Sequence, residues 1–129
     1  MDDSLKLSTR YVDTALTIAV AGDLDFATAQ QLLGCLDSVL AQLARQRSNG
    51  NGVGTVERLD IDTSGITFID AYGLGVLVTL RNRARGHRLP LRLTAVPPAV
   101  HRLLTITGTR DQFLSGSENG RDARPRSLS

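Results

Sequence analysis

Segments with the two-residue period of strands alternate along the chain with segments of helical period, and that alternation predicts an α/β fold. A chain of 129 residues suits one domain and can bury a real core without disulfides or metals. Its 41% hydrophobic and 22% charged residues are ordinary globular values, which excludes disorder along the whole length. The expected architecture is a mixed sheet of four or five strands packed with three or more helices. It occupies residues 1–115, with 116–129 as a flexible tail.

Leu5–Tyr11 and Leu16–Ala21 read as two short strands around a turn at Asp13-Thr14. In the second, Leu16, Ile18 and Val20 alternate with smaller or polar neighbours until Gly22 ends the run. Ala29, Leu32, Leu33, Leu36, Val39, Leu40 and Leu43 then recur at spacings of three and four, so Thr28–Arg45 is an amphipathic helix. Thr28 and Gln31 have the spacing of a capping box, and Cys35 lies beside the stripe as a packing thiol. Ser48–Gly54 has the composition of a mobile loop. Val56–Asp62 follows as a strand with Leu59 and Ile61 on one side, and a turn accounts for the hydroxyls of Thr63 and Ser64. Asp70–Arg85 is the next helix, capped by Asp70 and stopped by Gly86. Leu91–Val96 is a strand, Pro98–Thr107 a helix opened by Pro98 and closed by Gly108, and Phe113-Leu114 the end of a last short strand. Nothing after Gly116 carries an apolar stripe.

Composition removes several function classes. Fifteen basic residues against thirteen acidic ones leave a charge of +2, and aromatics make up 4% with no tryptophan. Neither supports nucleic-acid binding, which needs a basic footprint or stacking platforms. The two histidines, His87 and His101, have no acid or cysteine at metal-ligand spacing, so no metal is expected. Gly73-Leu74-Gly75 lacks the third glycine of a dinucleotide fingerprint, and no cofactor is expected either. The N-terminal Met1-Asp2-Asp3 puts acid where a secretory signal needs base, and no apolar run is long enough to span a bilayer. A cytoplasmic protein without membrane insertion is therefore expected. Asp25 and Asp70 are a candidate pair of carboxylates, and capping and turn formation explain both without catalysis. Arg81, Arg83, Arg85 and Arg88 gather near a helix C-terminus, where they complement its dipole on a solvated face.

Two glycines in the first turns of the second helix, Gly73 and Gly75, each cost roughly 1 kcal/mol relative to alanine. Either the helix start packs closely on the sheet, or its N-terminus is left bare for a partner or an anion. The stretch around them resembles the STAS domains of bacterial anti-sigma factor antagonists: Asp70-x-x-Gly73-Leu74-Gly75-Val76-Leu77, preceded by Ser64-Gly65-x-x-Phe68. Gly22-Asp23-Leu24-Asp25 resembles the same family's earlier motif, and Pro98-Ala99-Val100-x-Arg102-Leu103-Leu104 with Gly108 its third-helix segment. The three blocks stand in family order and cover roughly residues 5–114.

The resemblance implies a single STAS-like domain without enzymatic activity. It implies regulation of transcription by binding an anti-sigma factor, a histidine-kinase-like serine kinase, in a partner switch. The partner-binding site it implies comprises Asp25, Asp70, Ala71, Tyr72, Gly73, Leu74 and Gly75. Since STAS domains also occur in membrane transport complexes, an accessory subunit of such a complex is the alternative. The resemblance also implies a serine phosphoacceptor two residues after Asp70, but Tyr72 stands there and Ala71 before it. A tyrosine hydroxyl lies several ångströms farther from the backbone, and phosphoryl transfer depends on position. Binding without the usual phosphoswitch is thus expected, with Ser64 as the remaining candidate acceptor.

Overall fold

The computed structural model describes residues 5–48 and 56–114. Its elements run β1 (Lys6–Val12), β2 (Ala15–Leu24), α1 (Ala29–Ser48), β3 (Arg58–Ile69), α2 (Ala71–Gly86), β4 (Leu91–Thr94), α3 (Pro98–Thr107) and α4 (Arg110–Leu114). The sheet order is β1-β2-β3-β4, with β1 antiparallel to β2 and the other pairs parallel. This is the expected mixed α/β architecture, with four strands and four helices among the described residues. The tail 116–129 and the loop 49–54 lie outside those residues, whereas Ser48 is the last residue of α1.

The strand order sets the layers. β2-α1-β3 and β3-α2-β4 each step one strand in the same direction, and right-handed crossovers then place α1 and α2 on the same face. Leu16, Ile18 and Val20 of β2 and Leu59 and Ile61 of β3 point into that layer. There they meet Leu32, Leu36 and Leu40 of α1 and Leu77 and Leu80 of α2 in one buried cluster. The opposite face is polar. One cross-strand row reads Arg10, Thr17, Asp60 and Arg92, and the next reads Ser8, Ala19, Asp62 and Thr94. Asp60 is buried in its row because two guanidinium groups lie against it, Arg92 Nε at 2.8 Å and Arg58 Nε at 3.4 Å.

Three expectations are corrected. Gly22 does not end β2, which continues to Leu24: Gly22 takes a φ of 112° and the register shifts on either side of it. Each of the two shifts places one extra residue in β3, and neither breaks the strands. Likewise, Thr63 and Ser64 are not in a turn. β3 passes through them to Ile69, because Thr63, Ile66, Thr67, Phe68 and Ile69 all favour strands. Gly65 makes room where a Cβ would come within 2.7 Å of Ala21 Cβ. Finally, Phe113 and Leu114 close a short helix and not a strand. Gly108 ends α3 in the left-handed conformation (φ 73°), and α4 then delivers Phe113 into the core with no exposed area. A helix of five residues is too short to show a period in the sequence.

Candidate functional site

β2 and β3 end side by side, with Leu24 opposite Ile69 in the parallel register, so the turn after β2 and the start of α2 meet at one end of the sheet. Asp70 has extended backbone and its Oδ1 accepts the Gly73 amide at 2.8 Å, which caps α2 as the sequence implies. Asp25 performs the matching task before α1. Its Oδ1 accepts from the amides of Ala27 (3.0 Å) and Thr28 (3.3 Å), and its carbonyl accepts from the Ala29 amide. The two carboxylates are therefore capping groups at adjacent turns.

The capping box at Thr28 and Gln31 does not form. The Thr28 hydroxyl donates to the Asp23 carbonyl at 2.7 Å and accepts the Asp25 amide at 3.1 Å, tying the end of β2 to the turn. The Gln31 Oε1 atom accepts the Leu5 amide at 2.9 Å. A long-range backbone partner, just before β1, wins over the local one. Replacing Asp70 with alanine removes the α2 cap and is expected to lower stability by about 1 kcal/mol. Urea unfolding checks this; an unchanged midpoint would show that another group caps the helix.

Gly73 answers the question its sequence left open. It is buried, and a Cβ there would collide with the Leu24 carbonyl oxygen, so α2 begins in direct contact with the end of β2. Gly75 is exposed, and a Cβ added there would meet nothing within 4 Å, so packing does not require a glycine. Leu74 is buried as well; with Gly73 it supports the site from beneath, while Ala71, Tyr72 and Gly75 face outward.

The surface above these residues is aromatic. Tyr72 is 44% exposed and its ring lies edge-on to that of Phe26, with centroids 4.8 Å apart and planes at 69°. Phe26 itself is 71% exposed, and Phe68, opposite Asp23 in the strand register, is 50% exposed. The chain has three phenylalanines and two tyrosines, and three of these five stand exposed at this end of the sheet. Phe26 and Phe68 escaped the sequence reading as site residues. An aromatic directly after a capping aspartate, in a turn that cannot bury it, was the available signal.

Ser64 lies elsewhere. It is exposed in β3, its amide donates to Asp62 Oδ1 at 3.0 Å, and in the strand register it lies just before the Gly65–Ala21 pair, about 15 Å from the Leu24–Ile69 end of the sheet. It borders a cavity of about 220 Å³ together with Lys6, Ser8, Ala19, Ala21 and Asp62. Of the arginines near the end of α2, Arg83 pairs with Asp37 of α1 at 2.6 Å and Arg81 donates to the Gln112 carbonyl at 3.2 Å. These are surface links worth little individually. Burial pushes the Cys35 thiol above its ordinary range, consistent with a packing role. No described helix is long and apolar enough to cross a membrane, and no three described His, Cys, Asp or Glu residues are grouped to hold a metal ion.

Comparison with known proteins agrees with this geometry. A STAS-domain containing protein of Pseudomonas aeruginosa is 26% identical over 98 residues, covering 76% of this chain and 84% of that protein. The crystal structure of an anti-sigma factor antagonist from Mycobacterium paratuberculosis superposes with a TM-score of 0.66 at 23% identity, covering 88% of this chain and 86% of that one. The murine Solute Carrier 26 family member A9 anion transporter superposes over 81% of this chain but 16% of its own, with a TM-score of 0.59 at 18% identity. The STAS domain family matches residues 6–122, nearly the whole sequence, and the chain belongs to that family.

Proposed function

We propose that this chain is a protein–protein interaction module of the anti-sigma factor antagonist type. It binds an anti-sigma factor of histidine-kinase-like fold and so regulates transcription, by association and without catalysis of its own. The observation that carries this reading is the aromatic surface of Phe26, Phe68 and Tyr72 where α2 begins. Burying exposed rings releases ordered water at low side-chain entropy cost, which is why aromatics anchor interfaces. The likeness to an anti-sigma factor antagonist over most of both chains supports the same partner class. Neither Ala71 nor Tyr72 offers a serine hydroxyl, so association is constitutive and not released by serine phosphorylation at the start of α2.

A pull-down from the native cells tests the reading. A histidine-kinase-like protein is the expected catch, and incubation with that protein and ATP is expected to leave the intact mass unchanged. Recovery of a membrane transporter in its place would support the accessory-subunit alternative and overturn this one. One added phosphate would overturn constitutive binding, and mapping it to Ser64 or Tyr72 would identify the acceptor.

A further inference from the structure

We propose that the aromatic surface of Phe26, Tyr72 and Phe68 receives a cationic side chain of its partner, an arginine in preference to a lysine. The inference rests on the reading of this surface as the partner site and adds the chemistry of what docks there. An apolar patch alone would accept any apolar side chain, but this one is bordered by acid. Asp25 is adjacent to Phe26, Asp70 stands two residues before Tyr72, and Asp23 faces Phe68 across the strand register.

Each of these carboxylates accepts hydrogen bonds at Oδ1: Asp25 from two amides and the Thr28 hydroxyl, Asp70 from the Gly73 amide, and Asp23 from the Thr67 hydroxyl of the neighbouring strand at 2.7 Å. Asp37 and Asp60 form ion pairs, and among the described residues no ion pair reaches these three carboxylates. The sequence explains why. No lysine or arginine occurs between Arg10 and Arg45 or between Arg58 and Arg81, the two segments that build this end of the sheet. A chain of net charge +2 thus presents a locally acidic, aromatic surface.

Ring electrostatics act in the same direction. The face of an aromatic ring is negative, and an edge-on pair such as Phe26 and Tyr72 leaves ring-face area open to solvent. A cation over that face is attracted by the quadrupole, and carboxylates at the border add to the attraction. A guanidinium suits both, since it is planar, stacks on rings and donates to carboxylates in a fixed fork. The α2 N-terminus does not reverse the preference for a cation. Its dipole amounts to about half a positive charge, and Asp70 already occupies the Gly73 amide.

The test uses the full chain and two blocked tripeptides, acetyl-Ala-Arg-Ala-amide and its citrulline analogue, which keeps the shape and removes the charge. In amide-resolved NMR titrations, the arginine peptide is expected to shift Asp25, Phe26, Ala71 and Tyr72 saturably, at least threefold more than the citrulline peptide at equal concentration. Raising salt from 50 to about 500 mM is expected to reduce the shifts, since screening shortens to a few ångströms. Phe26→Leu, at an exposed position, is expected to halve the response or more while leaving the spectrum of the core unchanged. Equal response to the two peptides, shifts centred elsewhere, or no shift would each overturn the inference. If the peptides act alike but the native partner is still captured by wild type and lost by Tyr72→Ala, the partner site stands and only its charge preference fails.

Discussion

Gly73→Ala is expected to lower stability by about 3 kcal/mol, at the upper end of what overpacking one methyl group costs. Gly75→Ala, two residues later in the same helix, is expected to raise stability by up to about 1 kcal/mol. The contrast isolates packing from helix propensity, because both changes improve the propensity equally. At Gly73 the new methyl group would overlap the Leu24 carbonyl oxygen and stand 3.0 Å from both Leu24 C and Leu24 Cγ. Leu24 is fully buried, and its backbone belongs to the end of β2, so neither partner can swing away. At Gly75 the methyl group would enter open space. Urea unfolding of the two variants is the measurement. Equal midpoints would mean that the start of α2 does not bear on Leu24, and the account of how Tyr72 reaches Phe26 would fail with it. The same contact positions the site: forcing α2 away from β2 draws the Tyr72 ring from Phe26, so Gly73→Ala is also expected to weaken partner binding.

Where the chain is strongly periodic, it was legible. The α1 stripe from Ala29 to Leu43 is buried as its spacing implies, and Asp70 caps α2 with its own side chain. Legibility failed where long-range contacts decided between local options. Ser64-Gly65 has the composition of a turn, yet pairing with β2 holds it extended, with Gly65 opposite Ala21. Thr28 and Gln31 had the spacing of a mutual cap, yet each found a partner in the first two strands or beside them. Phe113 had no periodic company, and its burial follows from α3 ending in a left-handed glycine that returns the chain to the core. The candidate site was half visible. Its α2 side stood in the sequence as Asp70, Ala71, Tyr72 and the glycines. Phe26 belongs to it only because a tertiary contact, Gly73 against Leu24, brings the two turns together.

Tyr72→Ala is expected to weaken binding of the captured partner by about 2 kcal/mol or more, roughly thirtyfold in Kd. Tyr72 is 44% exposed, so truncating it also removes area packed against Phe26, and the binding loss is read at a temperature where the variant is fully folded. Phe26→Ala is expected to weaken binding comparably, being 71% exposed and edge-on to Tyr72. Because the two rings touch, the double variant is expected to lose less than the sum of the single losses, with a coupling of about 0.5–1.5 kcal/mol. Tyr72→Phe keeps the ring and its edge-on partner and is expected to bind within about threefold of wild type, a difference below about 0.7 kcal/mol. This last variant separates contact area from the hydroxyl group. Titration calorimetry of the four variants against the purified partner, with the folded state of each checked by circular dichroism, is the measurement. Tyr72→Ala binding as tightly as wild type would place the interface elsewhere on the domain. A large loss in Tyr72→Phe would instead assign the anchoring role to the hydroxyl, and the account based on ring burial would be wrong.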